Sequence, residues 1–301
     1  MNIVKPYVEL LINEDNISHV AKCARVCYQS DGTNNEQLYN ALKKNKHNSM
    51  FRHETHYFIV SNDSNLYFSI HLLKDNLKFG KYENESKLVG INIVFDDIKN
   101  EYYIVCNGQY IIEHSDFWNN IKHYEVNKEV FINNKNENIR NLVRYTFKCI
   151  TQISTSRELN RVSPNNIAEQ STRYVYENGT LCLPYWLENY KISKTGTGKY
   201  RVYKEKDNKK ERFVAGELYL TYCEQSFDRY KSLIVQGINK QDARGVLPLD
   251  TKTEIVYTYS IEEWKHIINL RYYGITGKPH HNAKIIAGMI KDKLNELGYN
   301  I

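Results

Sequence analysis

The sequence predicts a mixed α/β chain, and three observations carry that expectation: apolar residues at helical spacing, runs of β-branched and aromatic residues, and turn-forming clusters between them. Ile17, Val20, Ala21, Ala24 and Tyr28 recur at one helical face, so residues 17–28 read as an amphipathic helix, and a shorter helix is expected near 36–45. Residues 55–61 are rich in β-branched and aromatic types and read as a strand. Two more strands, near 90–96 and 101–106, flank the turn-forming Asp97-Ile98-Lys99-Asn100 and suggest a hairpin. Polar tracts at 74–89 and 126–138 bound this material. A long helix is expected over 138–160, carrying Leu142, Val143, Tyr145, Phe147 and Ile150, and broken by Pro164 and the Asn165-Asn166 pair. Residues 193–212 are lysine-rich with Gly and Thr, which suits a mobile loop or hairpin. Ser260 and Glu263 form a capping-box pattern, and Ile261, Trp264, Ile267 and Ile268 mark the apolar face of the helix that follows. Arg271 falls on the same face, seven residues after Trp264. An inward arginine is costly unless it meets an anion or a polarised ligand. Ile286, Ile290, Leu294 and Leu297 line one side of a final helix.

With 301 residues, 41% apolar and 25% charged, the chain has an ordinary globular composition and can bury a large core. The net charge of +6 is mild and the cations are spread along the chain, so a small polyanion such as a nucleotide accounts for them as well as DNA or RNA does. No nucleic-acid partner is expected on that ground. Six cysteines show no paired C-x-x-C spacing, and His280-His281 has no further ligand at metal spacing, so no metal is expected. Absence of a leader pattern or an apolar run of membrane length predicts a soluble, cytoplasmic protein.

The densest chemistry lies in residues 161–174. Arg161, Ser163, Glu169, Ser171, Thr172 and Arg173 put cations, hydroxyls and a carboxylate into one short connecting segment, a set suited to a phosphorylated ligand. The segment resembles the signature of the flavin-dependent thymidylate synthases, R-H-R-x-x-S leading into N-E-x-S-x-R-Y. Arg161, Glu169, Ser171, Arg173 and Tyr174 match; Val162, Ser163, Asn166 and Ala168 stand where the family has His, Arg, Ser and Asn. Three more blocks are similar to the family. These are Ala24 to Ser30, the Lys46 to His53 copy of G-H-x-[ST]-x-x-E-H with Lys46 in place of glycine, and Ala243 to Pro248 with Ile268 to Arg271, which resemble A-R-x-x-L-P and L-N-L-R.

The resemblance implies one domain over 1–301, a central, mainly antiparallel sheet flanked by helices, and a strand-rich insertion at 62–135. It implies methylation of dUMP at C5, with methylenetetrahydrofolate as carbon donor, FAD as cofactor and NAD(P)H as reductant, in a homotetramer whose active sites lie between subunits. By that match Arg271 would be the catalytic residue, and Arg173, Ser171, Thr172, Arg244 and Arg161 would bind dUMP, with Glu169 orienting it and Glu158 meeting the ring. His47, Ser49, Arg161, Ser163, Glu169, Ser260 and His266 would serve FAD and folate. Losing one charged phosphate contact at Ser163 would weaken FAD by roughly ten- to a hundredfold, about 1.5–3 kcal/mol. Two alternatives keep the pocket: altered C5 chemistry such as hydroxymethyl transfer, and a catalytically silent nucleotide binder. A cysteine-nucleophile thymidylate synthase is disfavoured, since no cysteine follows a proline.

Overall fold

The structure, a computed structural model, describes residues 1–12, 15–67, 69–71, 73, 90–161, 166–206 and 209–301. Ser163 and the polar tract at 74–89 lie outside the described residues. In chain order the strands are β1 (Asn2–Val4), β2 (Tyr7–Leu11), β3 (Thr55–Ser61), β4 (Ile91–Asp96), β5 (Glu101–Asn107), β6 (Arg144–Gln152), β7 (Ile167–Glu169), β8 (Thr180–Cys182), β9 (Lys191–Lys194), β10 (Tyr200–Lys206), β11 (Lys209–Arg212) and β12 (Lys252–Ser260). The longer helices are α1 (Asn16–Tyr28), α2 (Asn35–Lys44), α3 (Ile153–Leu159), α4 (Val214–Val235), α5 (Ile261–Ile268) and α6 (His281–Glu296).

A four-stranded antiparallel sheet, ordered β2-β6-β12-β7, forms the centre. Its spine is the full-length pairing of β6 with β12, from Lys252 opposite Gln152 to Ser260 opposite Arg144. Residues 138–160 are therefore not one helix: a short helix at Glu137–Arg140 precedes strand β6, and α3 follows. The expectation fails because β6 is paired on both edges and buried on both faces. Tyr145, Phe147 and Cys149 face the main core, while Arg144, Thr146 and Lys148 point to the other side. Residues 144–149, Arg-Tyr-Thr-Phe-Lys-Cys, alternate polar and apolar types, so the period of two that marks a strand is present in the sequence and the helical expectation runs against it.

On one face of the sheet, α5 and α6 close the main core. Trp264 packs edge-on against Phe147 and Tyr259, and its Nε1 donates to the Tyr145 carbonyl at 3.2 Å. Ile286, Ile290 and Leu294 are buried there as their spacing predicts, whereas Leu297 caps the end of α6 and is partly exposed. The helices at 17–28 and 36–45 and the hairpin of β4 and β5 are present within a residue or two of their expected bounds. Over the region expected as a mobile loop or hairpin, strands β9, β10 and β11 pair antiparallel in chain order as a small three-stranded sheet that begins at Lys191.

A second sheet, β3-β5-β4, has its own core of Phe58, Val60, Tyr102, Ile104 and Tyr110. Two buried polar links join it to the central sheet. Arg144 donates to the carbonyls of Arg52 (2.7 Å), Glu54 (2.9 Å) and Thr258 (3.2 Å) and to Thr55 Oγ1 (3.0 Å). Beside it, a chain of hydrogen bonds runs from His19 through Thr146 and Thr258 to His53. Burial, and then the neighbouring Arg144, pushes His19 down to about 4, and burial pushes His53 down to about 3, so both rings are neutral.

His56 behaves in the opposite way. Burial opposes its charged form, but hydrogen bonds to Glu125 Oε1 (2.7 Å) and Glu54 Oε1 (2.9 Å) outweigh it and raise the ring to about 9. A raised folded pKa gives stability that is complete below the unfolded value and lost as pH rises through the folded one. Relative to His56→Gln, the protein should therefore lose about 2 kcal/mol as pH rises from about 7 to 10, read from urea midpoints. Parallel pH profiles for the two proteins would contradict this.

Candidate functional site

Residues 169–174 leave β7 and pass under α1. The Gln170 amide donates to the Glu254 carbonyl and the Ser171 amide to the Cys27 carbonyl, so Ser171 sits beside the first residues of β12. The Ser171 hydroxyl accepts from the Arg173 amide at 3.3 Å. From far along the chain, Arg244 reaches this segment. It stands in a short turn after α4, and its Nη1 donates to Thr172 Oγ1 at 2.9 Å. Lys240 Nζ donates to the Tyr174 carbonyl at 2.8 Å. Arg173 is exposed and lies 5.2 Å over the Tyr174 ring. Four residues singled out from the sequence, Ser171, Thr172, Arg173 and Arg244, are thus brought together as two guanidiniums beside two hydroxyls.

Glu169, half-buried at the end of β7, accepts from Thr253 Oγ1 (3.1 Å) and Asn160 Nδ2 (3.3 Å). Burial raises its carboxyl, and hydrogen bonds from Ser156, Thr253 and Asn160 partly offset that. Those partners were not legible in the sequence, because they come from α3 and β12 and meet Glu169 only across the sheet. Glu177 was missed as well. It is buried, accepts from Gln170 Nε2 at 3.1 Å, and is pushed up by burial to about 7. Gln170 in turn accepts from Lys252 Nζ at 3.2 Å, so a polar chain underlies the segment.

Glu158 and Arg161 pair with each other at 3.1 Å at the end of α3, Arg161 being the more exposed. Arg271 does not continue the apolar face of α5. The helix widens into a π turn at Asn269–Tyr273, which rotates Arg271 to a half-buried position. Its Nε is buried and meets no hydrogen-bond partner among the described residues. The inward cation is there, and the anion that would complete it is not supplied by those residues.

The residues linked to FAD lie at the other end of β12. His47 and Ser49 are exposed on the turn that leads into the 3-10 segment Asn48–His53, whose far end is held by the His53–Thr258 and Arg144–Arg52 bonds. Lys46, which stands for the family's glycine, has φ +56°, the left-handed conformation that glycine adopts without strain. Ser260 and His266 border a cleft of about 310 Å³ with Asn92, Tyr259 and Glu263. His266 is exposed, but Ser260 is buried, and its hydroxyl accepts from the Glu263 amide (3.2 Å) while Glu263 Oε2 accepts from the Ser260 amide (2.7 Å). In that cap the Ser260 hydroxyl acts as acceptor, which leaves its O–H as the group it could offer a ligand. Exposed His47, Ser49 and His266 and the Arg161 guanidinium remain as groups that fit an extended phosphorylated cofactor.

Residues 105–296 match the family model described as "Thymidylate synthase complementing protein" (Thy1). A flavin-dependent thymidylate synthase of Synechocystis sp. is 33% identical over 67 residues, 22% of this chain and 31% of that protein. A probable flavin-dependent thymidylate synthase of Paramecium bursaria Chlorella virus 1 is 39% identical over 56 residues, 19% of this chain and 26% of that protein. The chain thus matches less than a third of the length of either relative. The crystal structure of a UMP/dUMP methylase PolB from Streptomyces cacaoi bound with 5-Br UMP aligns with a TM-score of 0.43 at 16% identity, over 99% of this chain and 92% of that one.

Because the Ser260 hydroxyl satisfies an otherwise orphaned helix amide, Ser260→Ala should lower stability by about 1 kcal/mol. Chemical denaturation checks this; a midpoint unchanged from the parent would show that the cap contributes nothing.

Proposed function

The chain belongs to the thymidylate synthase complementing protein (Thy1) family, and on that premise we propose that it methylates the uracil ring of dUMP at C5. Methylenetetrahydrofolate would donate the carbon, with FAD as cofactor and NAD(P)H as reductant. The observation that carries this reading is the convergence of Arg244 on Thr172, beside Ser171 and Arg173. Two guanidiniums and two hydroxyls at the surface suit the 5′-phosphate of a nucleotide, which accepts charge-assisted hydrogen bonds from both kinds of donor. Glu169, held by Thr253 and Asn160, orients the sugar and base.

Arg271 stabilises the negative charge that develops on the N3/O2 side of the ring, and the electron density then available at C5 makes that carbon nucleophilic. A guanidinium whose Nε is buried with no hydrogen-bond partner among the described residues is prepared for such a role. The route requires no protein nucleophile, and the thiols fit that. Burial pushes Cys182 up to about 12 and Cys223 up to about 11, and raises Cys23, Cys27, Cys106 and Cys149 as well. Reduced FAD, when bound, supplies the hydride; His47, Ser49, Arg161 and His266 would hold it.

The Ser171 segment meets β12 at Glu254, and the turn that carries His47 and Ser49 is held at Thr258, about 13 Å further along by strand rise. In the family's manner the protein would be a homotetramer, with each active site completed by a neighbouring copy.

Two substitutions test the assignment. Arg173→Ala should weaken dUMP by roughly ten- to a hundredfold and deoxyuridine far less, by calorimetry; equal losses would show that Arg173 does not read the phosphate. Arg271→Ala should lower turnover by on the order of a hundredfold or more with little change in melting temperature, since no ion pair among the described residues is lost. Unchanged turnover would remove Arg271 from the mechanism.

A further inference from the structure

The chain's whole net charge resides in one small sheet. Residues 191–212, spanning β9, β10 and β11, contain nine Lys/Arg and three Asp/Glu. Out of totals of 41 and 35, that leaves 32 of each sign in the other 279 residues. Cations are spread along the sequence, but over the rest of the chain the acids balance them in sum, which a count of cations alone does not reveal.

Strand alternation sorts these residues by face. Tyr203 lies opposite Lys191 on one side and Arg212 on the other, Arg201 opposite Ser193, and Glu205 opposite Lys210, so all of these share one face. Lys199, two residues before Arg201, falls on it too. The alternate residues Tyr200 and Val202 are buried against Leu220 and Phe227 of α4. The outer face therefore presents five cations, Lys191, Lys199, Arg201, Lys210 and Arg212, around one half-exposed tyrosine.

Part of this array is held in place. Arg212 Nε donates to both oxygens of the buried Glu217 (2.9 and 3.0 Å), and Arg201 Nη1 lies 3.4 Å from the same carboxylate. One buried anion thus fixes two guanidiniums, whose other N–H groups remain available. Lys210 Nζ sits 4.9 Å over the Tyr203 ring, and Lys191 meets Glu205 across the strands at 2.6 Å. A groove of about 340 Å³ runs between Ser193, Arg201, Tyr203, Lys210 and Arg212.

We propose that the outer face of β9, β10 and β11 binds single-stranded nucleic acid, with phosphates against the five cations and a base stacked on Tyr203. Cations alone would suit any polyanion. An aromatic ring set among them on an open antiparallel sheet favours a strand with unstacked bases. An anionic bilayer would call for apolar side chains to insert, and this face has none. The proposal stands independently of the nucleotide site at Arg244 and Thr172.

The test is fluorescence anisotropy of a labelled, mixed-sequence single-stranded RNA with a 5′-hydroxyl end, against the intact protein. Five phosphate contacts predict an affinity loss on the order of a hundredfold between about 50 and 200 mM salt. The triple variant Lys191→Gln, Lys199→Gln, Lys210→Gln should bind more weakly and lose over half of that salt dependence, to a slope of about −1.4. Tyr203→Leu should weaken binding about tenfold with the salt slope unchanged. Excess dUMP should leave the complex intact, and displacement by it would assign the RNA to the nucleotide pocket and overturn the proposal. It would equally be overturned by no binding, by triple-variant behaviour like the parent's, or by equal affinity for poly-glutamate or for vesicles of phosphatidylcholine with phosphatidylserine.

Discussion

The architecture depends on a buried cation whose hydrogen bonds, among the described residues, go to backbone carbonyls and a hydroxyl rather than to a carboxylate. Arg144, at the end of β6 opposite Ser260, is 6% exposed and reaches into the junction between the two sheets. There it donates to three backbone carbonyls and one hydroxyl. A guanidinium buried without those acceptors would be costly, and the carbonyls of Arg52, Glu54 and Thr258 would each lose a charge-assisted hydrogen bond without it. The constraint is mutual: the 3-10 segment must lie against β12 for either partner to be satisfied. That fixes the His47 to His53 turn relative to Ser260 and α5, so the same arginine positions the groups linked to the cofactor.

From this anchor the site divides along β12. One end carries the Ser260 cap, His266 and the turn held by Arg144. The other end carries Ser171, Thr172, Arg173 and Arg244, supported from below by the Glu177, Gln170 and Lys252 chain. Arg271 belongs to neither end, half-buried in a π turn that helical periodicity does not predict. The basic sheet at 191–212 is a third separate surface, and its cations are arranged by a carboxylate, Glu217, that lies outside it.

Local patterns made much of the fold legible in the sequence. The capping box at Ser260 and Glu263, the 55–61 strand, the β4–β5 hairpin and the apolar side of α6 all follow from nearest-neighbour chemistry, and all are present. The sequence reading failed where tertiary pairing decides. The expected 138–160 helix is one such failure: β6 alternates Tyr145, Phe147 and Cys149 with Arg144, Thr146 and Lys148, a period of two, and pairing with β2 and β12 makes it a strand. The residues proposed to bind phosphate were legible because arginines and hydroxyls are unusual at that density in a loop. Their supports, Asn160, Thr253 and Glu177, were not, because nothing in their sequence neighbourhoods marks them; only the sheet brings them together.

The central claim is that the half of the signature kept in this chain still forms a working nucleotide site. The most direct measurement is calorimetric titration of the purified protein with dUMP, with the absorbance of bound flavin recorded on the same sample. The account predicts saturable dUMP binding to a protein that carries flavin. Flavin-loaded protein that releases no heat with dUMP would contradict it, and would reduce Arg244, Thr172 and Arg173 to a structural cluster.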